Sequence, residues 1–222
     1  GIHVVSANTD GLISKVPVSI YDEYVKICED FSKYLEIGGE FTEYDKYIRT
    51  AVNDYMTLKH DGKYKLKGEF VSNVEIDKGY KHPVVAKVLF EYYINDNTDI
   101  DTLLRSYDIL DYCISVKVGE QFQTEYHTIR NGKRHIEVLQ KSNRYYVSTT
   151  GGVILKRDRS SNKLINIVKG KNVTIFNRFE KRDDYNIDYN WYKSRVIDTM
   201  NRINNTITKN MKKTIGNMFD NI

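Results

Sequence analysis

The chain has 222 residues, of which 40% are hydrophobic, and a formal net charge of +4 at pH 7, so it can bury a core as one large domain or two small ones and is not intrinsically disordered. Its two cysteines, Cys28 and Cys113, form neither a CxxC pair nor a disulfide framework, which predicts a reduced, intracellular setting. No apolar run approaches the length of a membrane span and no signal peptide precedes the first strand, so we expect a soluble cytoplasmic protein without a membrane partner.

Residues 2–16 predict a β-hairpin. β-Forming residues lie on both sides of Asn8-Thr9-Asp10-Gly11, which supplies the polar side chains and the glycine that a tight turn favours. Asp10 lies at the tip of this hairpin. Aspartate is common in turns for its backbone preference alone, so its role depends on the rest of the chain. Because a strand starts at the second residue and the first is Gly1, we expect a processed product, a split gene or a piece of a longer chain.

The next segment predicts an amphipathic helix. Ser19 with Asp22 three residues later is a candidate N-cap, and Gly38-Gly39 are candidate helix-ending residues. Spacings of four, three, four and three residues give the helix one apolar face, formed by Ile20, Tyr24, Ile27, Phe31 and Tyr34. We expect this helix to pack with the antiparallel sheet.

Residues 41–70 predict two extended segments on either side of Asp61-Gly62, the strongest short-range hairpin signal in the chain. The first 70 residues or so therefore predict the order strand, strand, helix, strand, strand. This order is typical of an α+β fold with a mostly antiparallel sheet. We assign residues 1–80 to this first domain.

Residues 81–222 predict a second domain that is mixed but mainly helical. Pro83 lies near the start of one predicted helix and Thr98 caps the next. Residues 115–179 predict short strands with turns at Gly151-Gly152 and Gly170. A long closing helix follows, with one apolar face formed by Val196, Met200, Ile203 and Ile207.

Positive charge is concentrated in three strips. The first strip is on the second hairpin, where alternate positions project from one face of a strand, and it contains Lys59, Lys63, Lys65 and Lys67. The second contains Arg130, Lys133 and Arg134. The third contains Lys156, Arg157, Arg159, Lys163, Lys169 and Lys171. Each strip alone could be a solvated lysine-rich surface, but three strips interleaved with tyrosine favour contact with a nucleic-acid backbone.

The motif SANTDGLI at residues 6–13 resembles the third palm motif of family B DNA polymerases, whose core is DTDS, in its phage variants. Asn53-Asp54-Tyr55 then stands where that family has a lysine-any-tyrosine element, and DGK and KGE follow within residues 61–69. NIDYNWY at 186–192 is similar to the (V/I)DYxYY element that opens the last thumb helix. The resemblance covers nearly the whole chain. It implies the end of a palm, residues 1–80, followed by a thumb, residues 81–222.

This resemblance implies a catalytic role for Asp10. It matches the second aspartate of DTDS, the principal metal ligand, whereas Asn8 replaces the first. In that family a primer 3′-hydroxyl attacks the α-phosphate of a deoxynucleotide triphosphate with the help of two Mg²⁺ ions about 3.5 to 4 Å apart. Tyr55 matches the tyrosine that supports the primer end, although Asn53 replaces the lysine of that element. The lysines of the first strip are the expected DNA contacts, and the third strip supplies secondary ones.

The first palm motif, the fingers helix and the proofreading exonuclease of the family have no counterpart in this sequence. We therefore expect activity only together with an N-terminal polymerase portion that supplies them. The other expected partners are primer-template DNA and deoxynucleotide triphosphates. A phage enzyme would act in the cytoplasm of a bacterial host, with association with the virion as an open alternative.

Two other classes of protein stay open. A non-catalytic DNA-binding or virion-associated remnant of palm and thumb would make Asp10 an ordinary turn residue. A different palm enzyme, such as a reverse transcriptase, uses a hairpin with two aspartates on a similar sheet. The single aspartate and the thumb elements that follow it argue against this second class.

Overall fold

The computed structural model describes residues 1–8, 11–72, 82–168 and 170–219, with the side chains of the last helix described as far as residue 205. Antiparallel sheets combine with helices, which confirms the α+β class. The chain divides into two compact units: an N-terminal unit of residues 1–68 with the last helix from residue 200, and a central unit of residues 69–199. The predicted boundary at residue 80 lies outside the described residues, and the assignment of palm and thumb stays a prediction.

The described part of the N-terminal unit contains a two-stranded and a three-stranded antiparallel sheet. Its elements are β1 (His3–Asn8), β2 (Gly11–Lys15), α1 (Tyr21–Tyr34), β3 (Tyr44–Ala51), β4 (Asp54–Lys59) and β5 (Tyr64–Lys67). The hairpin predicted over residues 2–16 is confirmed as β1 and β2, and its turn residues 9 and 10 lie outside the described residues. Residues 41–70 form three strands rather than the predicted two, because a tight turn at Val52-Asn53 precedes the one at Asp61-Gly62.

The ends of α1 differ from the prediction. A 3₁₀ turn over Val18–Ile20 precedes the helix, so Ser19 lies inside this turn and is not the N-cap. At the other end Glu36 adopts the left-handed conformation with a φ of 56°. The Ile37 amide there donates to the carbonyl of Ser32 at 3.0 Å. This pattern closes the helix before the predicted glycines are reached.

Much of the apolar face of α1 is exposed to solvent. Ile27 and Phe31 each expose 58% of their surface, and Tyr34 exposes 82%. The hydroxyl of Tyr24 donates to Ser14 Oγ of β2 at 3.1 Å, so the helix contacts the hairpin through polar atoms. The apolar side chains toward the C-terminal end of this face therefore lie in solvent. Within the described residues, the N-terminal unit leaves an apolar helix face uncovered.

The central unit is built on an antiparallel sheet that has six strands among the described residues. The 17-residue strand β9 pairs with four others, and β8 lies at the edge, paired with β7. The elements in chain order are α2 (Pro83–Tyr93), α3 (Ile100–Ser106), α4 (Ile109–Tyr112), β6 (Ile114–Lys117), β7 (Phe122–Arg130), β8 (Lys133–Leu139), β9 (Ser142–Asp158), β10 (Leu164–Asn166), β11 (Val173–Ile175) and α5 (Tyr189–Phe219). The sheet is more extensive than the short strands that the sequence predicts.

Gly151 and Gly152 lie inside β9 and not at the predicted turn. A Cβ atom on Gly152 would lie 2.1 Å from the carbonyl oxygen of His127 in β7. A Cβ atom on Gly151 would lie 2.5 Å from the carbonyl oxygen of Val173 in β11. The two glycines therefore permit the close approach of neighbouring strands rather than a reversal of the chain.

The helices of the central unit largely follow the predicted signals. Pro83 lies in the first turn of α2, as predicted. Asp99 rather than Thr98 caps α3, because the Asp99 carboxylate accepts a hydrogen bond from the Thr102 amide at 3.1 Å. In the part of the chain that the structure describes, no helix combines the length and the apolar character needed to cross a membrane.

Tyr192 anchors the start of α5 in the core of the central unit. Its hydroxyl donates to the carbonyl of Tyr112 at 2.7 Å and accepts from a backbone amide of β9 at 2.9 Å. Farther along the helix, Val196 and Ile203 expose 0% and 2% of their surface, which confirms this part of the predicted apolar face. The side chain of Ile207 lies outside the described residues.

Candidate nucleic-acid interface

One face of the sheet formed by β3, β4 and β5 carries tyrosine and basic side chains in rows. Residues directly opposite each other in antiparallel strands project from the same face. The register gives two rows across all three strands, Arg49–Tyr55–Lys67 and Tyr47–Thr57–Lys65. Each row ends in an exposed lysine. We call this surface the tyrosine–lysine face.

The two tyrosines of this face stack on each other. The ring centroids of Tyr47 and Tyr55 are 5.5 Å apart, with an angle of 22° between the ring planes. The Lys67 ammonium lies 5.9 Å from the centroid of the Tyr55 ring. Burial raises the pKa of Tyr47, so its hydroxyl stays neutral at physiological pH. Stacked aromatic rings beside positive charge are the combination that proteins use to hold nucleic-acid strands.

Strand β1 is attached to the tyrosine–lysine face through Ser6. The guanidinium of Arg49 donates from Nη1 to Ser6 Oγ at 3.0 Å, and Ser6 exposes only 6% of its surface. Ser6 begins the SANTDGLI motif, four residues before Asp10. The strand that leads to the predicted metal ligand is thus fixed against the face that carries Tyr55.

Asp10 itself lies outside the described residues, and the metal site predicted on it therefore stays a prediction. Within the described ranges, no group of three or more His, Cys, Asp or Glu side chains is arranged to hold a metal ion. The nearest described chain positions on either side of the tip are Asn8, the last residue of β1, and Gly11, the first residue of β2, and these two residues pair with each other.

The lysines near the turn between β4 and β5 differ in their contacts. Lys63 Nζ lies 2.8 Å from Asp61 Oδ2, with 79% and 50% of the two side chains exposed. This hydrogen bond raises the pKa of Lys63 and lowers the pKa of Asp61. The Lys59 amide donates to the Lys63 carbonyl at 2.7 Å, so these two residues lie opposite each other. An ion pair this exposed is weak, and Lys63 can exchange Asp61 for a phosphate.

The third predicted strip does not form one surface. Lys156 and Arg157 are neighbours in β9 and therefore project from opposite faces of the sheet. Arg159 and Lys163 are exposed near the turn between β9 and β10. Lys169 lies outside the described residues. Lys156 and Arg157 therefore do not lie on one surface, because a strand alternates its side chains between two faces, and the secondary DNA contacts expected of this strip stay a prediction.

Arg157 takes part in a buried polar network that sequence reasoning missed. It donates to both carboxylate oxygens of Glu125, at 2.5 and 3.0 Å, and the Glu125 side chain is 3% exposed. His127 Nε2 lies 2.7 Å from the same carboxylate, and Arg134 Nη2 lies 2.5 Å from His127 Nδ1. The hydrogen bonds from Arg157, and secondarily from His127, hold the pKa of Glu125 at about 2. The available signal was the Glu-x-His spacing, which places both side chains on one face of a strand.

Lys171 belongs to a separate aromatic cluster in the central unit. Its ammonium lies 4.0 Å from the centroid of the Trp191 ring, and the Arg195 guanidinium carbon lies 5.4 Å from the same ring. The His82 ring contacts Trp191 edge-on at 5.0 Å between centroids. Burial lowers the pKa of Lys171. Lys171 thus combines charge with an aromatic surface, and so does Lys156 of the same strip, whose ammonium lies 4.2 Å from the centroid of the Phe122 ring.

Comparison of the chain with protein-family models, with curated proteins and with solved structures finds no match. A functional assignment therefore has to rest on the side chains of the chain itself.

Proposed function

We propose that this chain is the C-terminal palm and thumb portion of a template-directed DNA polymerase of family B, phage type. It adds nucleotides by two-metal phosphoryl transfer when it is combined with an N-terminal polymerase portion. The observation that carries the proposal is the tyrosine–lysine face, against which the strand of the SANTDGLI motif is fixed through Ser6. In this proposal Asp10 binds Mg²⁺, Tyr55 supports the primer end, and the DNA contacts are Lys59, Lys63, Lys65 and Lys67.

The tyrosine–lysine face has the chemistry that a nucleic-acid backbone requires. Lys65 and Lys67 are exposed at the ends of their rows and can neutralise phosphates. Tyr47 and Tyr55 offer ring surface and hydroxyl groups beside these charges. Contacts of this kind position DNA without reading its sequence. A polymerase needs such contacts because it copies any template.

The chemistry of nucleotide addition explains the predicted place of Asp10. Two Mg²⁺ ions in the complete active site would activate the 3′-hydroxyl and neutralise charge that develops on the phosphates. A carboxylate on a tight turn between two paired strands is held rigidly enough to bind such an ion in a defined position. Asn8 offers an amide oxygen in place of the other carboxylate of the motif. The second metal-binding carboxylate must therefore come from the N-terminal portion.

Uncovered apolar surface supports the requirement for that N-terminal portion. In the N-terminal unit, Ile27 and Phe31 of α1 and Val4 and Leu12 of the hairpin each expose half or more of their surface. A two-stranded hairpin is marginally stable by itself in water, and large exposed apolar surfaces mark sites of interaction. We propose that the N-terminal polymerase portion covers the hairpin and this face of α1.

A second candidate function is a non-catalytic, DNA-binding remnant of palm and thumb, including one associated with a virion. The observation that favours it is Asn8, which replaces one of the two carboxylates of the motif. In this alternative the tyrosine–lysine face still binds DNA, but Asp10 is only a turn residue. Metal-dependent nucleotide addition by a reconstituted complex separates the two candidates.

The experiment that tests the proposed DNA surface is binding of a labelled primer-template across a salt series. Each neutralised phosphate contributes about 0.9 to the slope of log affinity against log salt concentration. Replacing Lys63, Lys65 and Lys67 together by glutamine should weaken binding and flatten the slope by up to about three units, if all three contact phosphates. The loss should be the same for unrelated DNA sequences.

A matched control is the simultaneous replacement of Lys26, Lys33 and Lys181 by glutamine. These lysines are exposed and lie outside the tyrosine–lysine face, so the net charge changes equally. The control should keep a salt slope close to that of the unchanged chain. Equal effects of the two triple variants would reject the tyrosine–lysine face as the DNA surface, since only net charge would then matter.

A further inference from the structure

The edge strand β8 exposes both its side chains and its outer backbone edge. Six of its seven residues are exposed, including Ile136 at 52% and Val138 at 62%. Ile129 of β7, on the same face, exposes 70%. The pairing with β7 runs from Thr124 to Arg130 without a bulge. Among the described residues no strand pairs with the other edge of β8. Proteins usually protect such an edge with prolines, bulges, charged side chains or a cover, and of these β8 has only its charged side chains, Lys133, Arg134 and Glu137, among the described residues.

The hairpin geometry shows which backbone groups of β8 point outward. Asn131 and Gly132 form the turn with φ angles of 51° and 72°, which is the type I′ pattern of a two-residue hairpin. In such a hairpin the flanking pair, Arg130 and Lys133, is hydrogen-bonded, and hydrogen-bonded pairs then alternate along the ladder. The amides and carbonyls of Arg134, Ile136 and Val138 therefore face away from β7. These groups can accept one more antiparallel strand.

We propose that β8 of one chain pairs antiparallel with β8 of a second copy of this chain, about a two-fold axis at Ile136. In this register Ile136 lies opposite Ile136 of the second copy, and Arg134 lies opposite Val138 in both directions. The backbone amides and carbonyls of these three residues all face away from β7. The two residues of each pair can therefore form two backbone hydrogen bonds with each other. The two sheets become one continuous sheet with a symmetric, self-complementary interface.

Charge complementarity selects this register. On the other face of β8, Glu137 lies opposite His135 of the second copy. Lys133 of the second copy is the diagonal neighbour of the same Glu137. Each Glu137 carboxylate is thus placed between a histidine and a lysine. A register centred on Arg134 would instead place two arginines directly opposite each other. Like charges directly opposite each other are destabilising.

The exposed apolar side chains of β8 also favour a second copy of this chain as the binding partner. Ile136 and Val138 project from the face that also carries Ile129. Pairing of two copies brings four aliphatic side chains of β8 together across the axis, flanked by the two Ile129 residues. An acidic peptide or a nucleic acid would match the basic tip but would leave these side chains in water. A second copy satisfies the backbone, the charges and the apolar face together.

Sedimentation velocity over a concentration series tests the proposal. The unchanged chain should pass from monomer to dimer as its concentration rises, and Ile136→Lys should keep it monomeric, because two ammonium groups would meet at the axis. The matched control is Val18→Lys, which adds the same charge at an apolar residue that is 93% exposed in the 3₁₀ turn before α1 and should retain the dimer. A chain that stays monomeric throughout, or a dimer that both variants weaken equally, would overturn the proposal.

Engineered cysteines test the register. Cα atoms of a hydrogen-bonded antiparallel pair lie about 5.5 Å apart, within the range that a disulfide bridges. In a Cys28→Ser background, Ile136→Cys should give a covalent dimer on mild oxidation. Val138→Cys, whose opposite residue is Arg134, should give far less. Equal crosslinking of both variants would reject the register, whatever the oligomeric state.

A charge exchange separates a specific interface from aggregation. Glu137→Lys should weaken the dimer at least several-fold, because it faces His135 and Lys133 of the second copy. Adding His135→Glu to the same chain should restore much of the affinity, since unlike charges then face each other again. Failure of the double variant to recover would show that Glu137 and His135 do not meet across the axis.

Discussion

His82 shows how the environment of one residue changes its chemistry. Its Nδ1 lies 2.9 Å from the carbonyl of Tyr112, so this nitrogen carries the proton and donates. The rings of Trp191 and Tyr192 contact the His82 imidazole edge-to-face, with ring centroids 5.0 and 5.1 Å away. Burial, opposed in part by that hydrogen bond, lowers the pKa of His82 to about 4. The imidazole therefore stays neutral in the folded protein well below the pH at which a free histidine becomes charged.

The consequence is a loss of stability in mild acid. The unfolded chain binds a proton at His82 near pH 6.5, whereas the folded chain does so only near pH 4, so stability that is present above pH 6.5 is lost as the pH falls. We expect the free energy of unfolding to fall by about 2 kcal/mol from this group between pH 7 and pH 5. His82→Gln, which can still donate to Tyr112, should lack this component in urea unfolding at the two pH values.

His135→Gln is the control for that measurement, because His135 is exposed on β8. It should keep the pH dependence of the unchanged chain. If His82→Gln also kept it, the neutral state of His82 would be contradicted.

Asp10 is the residue on which the catalytic part of the proposal depends. In a complex reconstituted with the N-terminal polymerase portion, Asp10→Asn should abolish nucleotide addition while primer-template affinity stays nearly unchanged. The reason is that loss of a metal ligand removes transition-state stabilisation of several kcal/mol. Single-turnover incorporation and equilibrium binding measure the two quantities separately. Turnover retained within about tenfold, which is roughly 1.4 kcal/mol of barrier, would contradict the assignment. Asn8→Asp is the matched control and should be tolerated.

At the scale of elements, buried polar contacts join the long strands of the central unit. Glu125 of β7 is held by Arg157 of β9 and by His127 two residues along its own strand. Its pKa of about 2 lies below the ordinary value of 4.5. The pair therefore contributes stability that is fully present above pH 4.5 and is lost as the pH falls toward 2.

We expect Glu125→Ala to lower the free energy of unfolding by about 3 kcal/mol, because it leaves Arg157 and His127 without their shared partner. The control is Glu120→Ala, which removes a carboxylate that is 90% exposed and is paired with Lys141. Its cost should be much smaller, because solvent screens an ion pair this exposed. Urea unfolding at pH 7 measures both. Equal costs would show that the network adds no more than a surface ion pair.

At the scale of the whole molecule, the two units differ in how well they are buried. The described core residues of the central unit include Tyr112, Val147 and Tyr192, none of which exposes any surface. The N-terminal unit instead leaves the end of α1 and part of the hairpin exposed. A unit with this much exposed apolar surface is expected to need a partner.

We therefore expect the isolated chain to bind primer-template DNA weakly and without sequence preference, yet to incorporate no nucleotide. In the proposed assignment, phosphate contacts on the tyrosine–lysine face can form when the active site cannot, because the N-terminal polymerase portion supplies the second metal-binding carboxylate. Extension assays with magnesium and all four nucleotides, run beside binding assays, measure both properties. Extension by this chain alone would show that it supplies both carboxylates. An affinity that does not change with salt would point to a protein ligand instead of DNA.

Patterns that depend on near neighbours in the chain could be read from the sequence. The β1–β2 hairpin, the turn at Asp61-Gly62 and the start of α2 at Pro83 follow from turn and cap preferences of a few residues. The buried face of α5 at Val196 and Ile203 follows from helical periodicity. The α+β class follows from the order of these local elements.

Only the tertiary structure decided which of these elements meet. The glycines at 151 and 152 have the composition of a turn, but contacts with β7 and β11, distant in sequence, place them inside a long strand. Arg157 has the sequence context of a DNA-binding residue, but pairing of β7 with β9 brings it to Glu125. The rows of the tyrosine–lysine face likewise exist only because three strands align in one register. Such contacts join residues that are dozens of positions apart in the chain. A pattern of a few neighbouring residues therefore does not predict them.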